Sequence, residues 1–161
     1  MPIGKDPAIR RYDPADWEAI SRVHDTARLI ELDLTVGVGA FRSLADTAGP
    51  EGLFDGDVWI AEHDAAVRGF IAFTASEINW LYVDPGHARL GIGRTLLRHA
   101  LLTQIESAQA DTIEVSVLDG NTPAMALYLS EGFRLLETRD GHLDGAPDTP
   151  ARGHILALHR E

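Results

Sequence analysis

The segment with the plainest chemical use is residues 81–97, Leu-Tyr-Val-Asp-Pro-Gly-His-Ala-Arg-Leu-Gly-Ile-Gly-Arg-Thr-Leu-Leu. Extended apolar residues run into Pro85 and Gly86, and Gly91 and Gly93 then open a helical pattern. Glycines at that point let backbone N–H groups approach a ligand closely at the positive end of a helix, which makes a cradle for phosphate. Two common nucleotide-binding versions do not fit. A P-loop needs a Lys-Ser/Thr pair after its last glycine, but Arg94 and Thr95 follow Gly93. A dinucleotide fingerprint needs a third glycine at position 96, which is Leu96. A tight turn whose glycines serve packing alone is the other reading of this segment.

Other site chemistries are poorly served. There is no cysteine, which excludes disulfides, thiolate metal sites and a cysteine nucleophile. The seven histidines, at positions 24, 63, 87, 99, 142, 154 and 159, show no ligand spacing such as H-E-x-x-H, so no metal is expected. No G-x-S-x-G nucleophile elbow occurs. With 25 acidic residues against 14 Lys and Arg, the formal charge of −11 argues against a nucleic-acid partner and mildly favours a cationic substrate such as an amine. The first residues lack an apolar signal core, and no run approaches the roughly 20 apolar residues that span a bilayer. A cytoplasmic protein without membrane contact is the expectation. The 161 residues suit one domain over 1–161, large enough to bury roughly two-thirds of its unfolded surface.

The elements that must position the loop alternate between strand and helix. Residues 8–12 read as a strand, and Asp13-Pro14 opens a helix whose stripe of Trp17, Ile20, Val23, His24 and Ala27 runs to about Leu29. Residues 31–39 read as a loop and 40–48 as a short helix stopped by Gly49-Pro50. Strands are expected at 58–62, 67–75 and 77–83, the first two joined by a hairpin at 63–66. A helix over 92–109 carries Leu96, Leu97, Ala100, Leu101, Ile105 and Ala108 on one stripe. A strand at 112–118, a helix at 124–130 ending at Gly132, and strands at 133–139 and 154–159 complete the chain. The last two are joined by a Gly/Pro/Asp-rich loop at 140–153. The class is α/β with a mixed sheet.

Two spaced motifs, taken together, resemble the GNAT superfamily of acyl-CoA-dependent N-acyltransferases. The first is Leu81-Tyr-Val-Asp-Pro followed by Gly91-Ile-Gly-Arg-Thr-Leu-Leu. The second is Asn121-x-x-Ala124-x-x-x-Tyr128-x-x-x-Gly132-Phe133 after the strand at 113–117. The resemblance covers nearly the whole chain. It implies a mostly antiparallel central sheet of about seven strands flanked by about four helices. One departure stands out, because the family's loop begins with Gln or Arg where this chain has Ala88, and Arg89 comes one place late. A loop that binds through backbone N–H groups is weakened rather than abolished by that loss, and Arg89 or Arg94 is placed to compensate.

By the same resemblance the co-substrate is acetyl-CoA and the reaction is transfer to an amine in a ternary complex. The cofactor residues are Leu81, Tyr82 and Val83 on the strand, whose main chain pairs with the pantetheine arm, and Arg89, Leu90, Gly91, Ile92, Gly93, Arg94 and Thr95 in the loop and helix start. Tyr128 is the acid for the departing thiolate and also contacts the cofactor. Asn121 either bonds the cofactor or caps its helix. The base is Glu77 or a water chain. Alternation places Glu77, Asn79, Leu81 and Val83 on one face, unless the bulge usual in this family resets the parity. The acceptor falls to the variable segments 30–39 and 140–153. Trp59 and Trp80 are core or groove-lining aromatics. Edge strands are compatible with a homodimer. A non-catalytic acyl-CoA-binding sensor or regulatory module is the alternative function.

Overall fold

The computed structural model describes residues 6–107 and 110–159. Seven strands form one sheet: β1 Ala8–Arg11, β2 Asp57–His63, β3 Ala66–Phe73, β4 Glu77–Val83, β5 Thr112–Leu118, β6 Arg134–Leu143 and β7 Ala146–His159. Their spatial order is β1-β2-β3-β4-β5-β7-β6, and every neighbouring pair is antiparallel except β4 and β5. Four helices accompany it, α1 Trp17–Leu34, α2 Leu44–Thr47, α3 Ile92–Ser107 and α4 Thr122–Ser130. This is the mixed, mostly antiparallel α/β architecture that the motifs implied. The end of the 92–109 helix lies outside the described residues. Within α3, Ile105 is exposed rather than part of the buried stripe.

Each face of the sheet buries its own apolar cluster. On one, Leu96, Leu97 and Ala100 of α3 and Tyr128 of α4 pack on Ile71, Ile78, Val115 and Leu156. On the other, Ile20 and Val23 of α1 and Leu44 of α2 pack on Ile60, Phe70 and Ala72. Gly69 of β3 explains the close seat of α3. A Cβ there would lie 3.0 Å from the Tyr82 carbonyl oxygen and 3.1 Å from Ile92 Cγ2, so any larger residue would push the first turn of α3 off the strands by a few tenths of an ångström.

The parallel pair is the most consequential part of the sheet. β4 and β5 are paired only at Glu77 with Glu114 and Ile78 with Val115, and beyond that point they part. The split begins where Asn79 forms a bulge, since Ala72 pairs with Trp80 but Phe73 pairs with Ile78. The bulge resets the parity: Ile78, Leu81 and Val83 pack with the α3 cluster, while Trp80 and Tyr82 pack with the α1 cluster. Glu77 and Asn79 therefore do not share a face with Leu81 and Val83. The buried Gln104 of α3 pins the vertex, donating to the Thr74 carbonyl at 2.8 Å.

Two segments differ from the sequence expectation for tertiary reasons. The helix expected to stop near Leu29 continues to Leu34, so residues 31–34 are helical rather than loop. That extra turn buries Leu32 completely and carries Glu31 to the sheet. Of the helix expected over 40–48, only Leu44–Thr47 is α-helical, capped by the Ser43 side chain. The expected loop at 140–153 is a hairpin, with Asp140 opposite Arg152 and His142 opposite Pro150, turning at Gly145 with φ +76°. Its Gly and Pro content reads as loop because those residues lower strand propensity. The hairpin runs past the end of β5, so β7 here has a neighbour on one side only, and prolines are tolerated at such an edge.

Candidate active site

The glycine loop is a concave stretch of main chain. Asp84 accepts the Gly86 N–H and fixes the turn after β4. Arg89 (φ +68°) and Gly91 (φ +77°) then adopt left-handed backbone, and α3 starts at Ile92. Left-handed residues alternating with others turn successive N–H groups into one hollow, here at the positive end of a 16-residue helix. A Cβ at Gly93 would make ordinary contacts, 3.5 Å to Val83 Cγ2 and 3.8 Å to Leu127 Cδ2, so packing alone does not demand glycine there.

The side chains expected to assist are largely engaged elsewhere. Arg94 bonds Ser130 and Glu131, tying α3 to α4. The Thr95 hydroxyl donates to the Gly91 carbonyl at 2.8 Å. Arg89 is exposed and, among the described residues, its side chain makes no hydrogen bond or ion pair. Leu90 is exposed, whereas Ile92 is core.

A narrow cleft of about 80 Å³ fills the split between β4 and β5, walled by Ile78–Tyr82, Val115–Val117, Asn121, Ala124 and Tyr128. Tyr128 is 5% exposed and its ring packs edge-on against Phe133 at 5.4 Å. Among the described residues its hydroxyl has no hydrogen-bond partner. Burial, and then the nearby Glu31 carboxylate, push that phenol well above its ordinary value, so it keeps its proton at neutral pH.

Asn121 is a helix cap: its Oδ1 accepts the Ala124 N–H at 3.2 Å. Its Nδ2 donates to Glu31 Oε2 at 3.0 Å. Glu31 is thus a hub. Its Oε1 also accepts from the Tyr82 hydroxyl at 3.0 Å and from Arg28 at 2.7 Å. Gly120 (φ +100°) makes this junction possible, because a Cβ there would sit 2.4 Å from the Leu34 carbonyl. Tyr82 therefore offers the split its main chain, while its hydroxyl serves α1.

A second cavity of about 660 Å³ opens on the α1 side. Its walls come from α1 (His24, Arg28, Glu31), the region of α2 (Arg42, Glu51), β4, β5 and the β6–β7 hairpin (Arg139 to Asp144). The two spaces share Glu31, Asn79, Trp80, Tyr82, Ser116 and Val117 as lining. Trp80 is thereby groove-lining, while Trp59 packs at a tilt against His99, centroids 4.1 Å apart, beneath Arg11.

Glu77 is not brought to this junction. It is exposed, accepts from Asn79 at 3.2 Å, and lines neither cavity. The residues that sequence reasoning missed are Glu31, Arg28 and the role of His24. A signal existed: Ile20, His24, Ala27 and Glu31 continue one helical stripe, so a carboxylate lay on the apolar face. No group of three or more His, Asp or Glu residues among those described could hold a metal ion.

Among the described residues the sheet splits at its one parallel pair, with a helix start and its glycine loop beside the split and a second cavity meeting it from the other face. Residues 54–135 match the acetyltransferase (GNAT) domain, and the chain belongs to that family of N-acetyltransferases. It is 26% identical over 141 residues to YafP, an uncharacterized N-acetyltransferase of Escherichia coli K12, covering 86% of this chain and 88% of that protein. It is 34% identical over 76 residues to the ribosomal protein bS18-alanine N-acetyltransferase of the same organism, covering 47% of this chain and 49% of that one. Its fold matches yncA of Salmonella typhimurium, a structure with acetyl-CoA, at a TM-score of 0.71 and 19% identity, covering 98% and 95% of the two chains.

Proposed function

We propose that this enzyme moves the acetyl group of acetyl-CoA to a primary amine of a small molecule, peptide or protein, by direct transfer in a ternary complex. The observation that carries the reading is the meeting of two cavities at shared walls, one in the β4–β5 split beside Tyr128 and one on the α1 face. Donor and acceptor would enter from opposite sides, which suits direct transfer better than relay through a protein nucleophile. The residues fit acetyl-CoA. The N–H groups of 89–93 suit a pyrophosphate, and past Ile78 the main chain of β4 has no strand neighbour in the split, so it suits an extended amide-bearing arm. Bound acetyl-CoA supplies the activated thioester. Tyr128 keeps its proton until a thiolate needs it, and that proton is its contribution. In this reading the protein works in the cytoplasm.

The test is free-thiol release from acetyl-CoA with spermidine, lysine, kanamycin and an alanine-initiated hexapeptide as acceptors. Turnover with intersecting initial-rate lines is expected. Parallel lines would replace the ternary complex with a relay. Thermal stabilisation by acetyl-CoA without thiol release for any amine would favour the sensor module.

A further inference from the structure

Among the described residues, His24 is the buried titratable group beside the larger cavity that the chemistry above leaves unused. It is 4% exposed, yet it is among the residues that line the larger cavity. Its Nδ1 lies 2.9 Å from Asp25 Oδ1, and the same oxygen accepts the Leu44 N–H at 2.8 Å, so the start of α2 holds the carboxylate. A carboxylate only accepts, which makes Nδ1 the donor and leaves the lone pair on Nε2. Among the described residues Nε2 has no hydrogen-bond partner. Tyr82, a wall of both cavities, packs edge-on against the ring at 4.8 Å, which places His24 one residue back from their shared walls. Glu31 is the competing base in the same place. Its oxygens already accept from Arg28, Tyr82 and Asn121, so it suits holding the junction together better than taking a proton.

We propose that His24, oriented by Asp25, takes the proton of the acceptor amine. The proposal rests on the amine-acetylation reading. As the amine nitrogen bonds to the thioester carbonyl carbon and the C–S bond breaks, one N–H proton passes to Nε2 of His24. The thiolate takes the Tyr128 proton. Imidazolium and phenolate then reset through solvent, and the balance is amine plus thioester to amide plus thiol. Burial keeps the ring neutral near pH 7 by lowering its proton affinity, outweighing Asp25. The charged and titratable groups around it are Asp25, Arg28 and Glu31 on α1, Tyr82 on β4, Arg42 and Glu51 near α2, and Arg139, Asp140, His142 and Asp144 on the hairpin.

The experiment compares His24→Gln and His24→Asn with wild type on the best acceptor of the panel. Expected are a kcat loss of about a hundredfold, an unchanged acetyl-CoA Kd, and disappearance of the acidic limb of kcat against pH. An unchanged kcat in a variant that still binds acetyl-CoA overturns the assignment. Long-range proton–nitrogen NMR of the wild-type protein reads the arrangement without turnover. A neutral ring protonated at Nδ1 is expected at pH 7, and the Nε2–H tautomer or an imidazolium overturns it. A wild type inert toward every amine with the expected tautomer would defeat the acetylation reading and, because it rests on it, the base role too.

Discussion

On the α3 side of the split, the proposed binding surface is main chain: left-handed turns at Arg89 and Gly91, the first amides of α3 and the strandless edge of β4. On the α1 side it is side chain: Glu31 holding Arg28, Tyr82 and Asn121, His24 on Asp25, and the charged hairpin. Main chain is the same in every sequence, so the first region constrains only where side chains must be absent. Side chains are specific, so under the proposed function the second region can change its acceptor without disturbing the donor site. In that reading the split keeps the two jobs independent while the shared walls bring them together.

The sharpest way to break this contrast is Gly91→Asp. A non-glycine residue in left-handed backbone costs about 1–2 kcal/mol, and the new carboxylate would face the phosphates. Loss of measurable acetyl-CoA binding by calorimetry is expected, with the α1 cavity intact. Gly93→Ala makes the cleaner comparison, because the folded chain has room for its Cβ. A fall in affinity without a fall in Tm would show that the ligand, not packing, demands the glycine. Retained tight binding in both variants would mean the cradle lies elsewhere.

Tyr128→Phe probes the meeting point. Among the described residues the hydroxyl bonds nothing, so removing it costs the fold little. Thiol release should fall about a hundredfold or more, while acetyl-CoA Kd stays near wild type. An unchanged rate would remove the phenol from proton transfer.

The same contrast explains what could be read before the fold was seen. The turn from β4 into α3 was legible because Pro85, Gly86, Gly91 and Gly93 break the strand before an apolar helical stripe, and β5 was legible because Ile113, Val115 and Val117 alternate with Thr112, Glu114 and Ser116. The junction was not. Glu31 became visible only when α1 ran one turn past its apparent end, a turn stabilised by burying Leu32 and by bonds to residues 51 and 90 positions away. The hairpin at 140–153 was hidden by its own Gly and Pro, which pairing along an exposed edge accommodates. The bulge at Asn79 moved Glu77 off the expected face, and nothing in the local sequence marks it.

Glu31→Ala tests the side-chain region directly. It strips acceptors from Arg28, the Tyr82 hydroxyl and Asn121, and buried donors left unpaired cost about 1–3 kcal/mol. The Tm should fall by roughly 2–4 °C for each kcal/mol in a domain of this size. The KM for the acceptor should rise more than the Kd for acetyl-CoA. Equal changes in both would show that the two regions are not independent.

A pH scan reads one histidine ring on each side of the sheet, His24 on α1 and His99 on α3. Burial lowers the proton affinity of both His24 and His99 in the folded chain. The unfolded chain then binds more protons, so their contribution is fully present above the unfolded value of about 6.5 and is lost as pH falls below it. The urea midpoint should drop between pH 7.5 and 5.5, and His99→Gln should flatten part of that slope. A midpoint independent of pH over this range would show that neither ring is held neutral by burial.

The smallest expected effect bears on the departure at Ala88. If the cradle works through N–H groups, an arginine one place late is a modest aid. Arg89 pays for its left-handed backbone, φ +68°, without making a side-chain bond among the described residues. Arg89→Gly should therefore raise stability by up to about 1 kcal/mol, and weaken acetyl-CoA by only a few-fold through loss of one exposed charge. Ala88→Arg should tighten binding by a similar factor. A hundredfold loss in Arg89→Gly would reverse the contrast, because the donor site would then depend on a side chain as much as the acceptor site does.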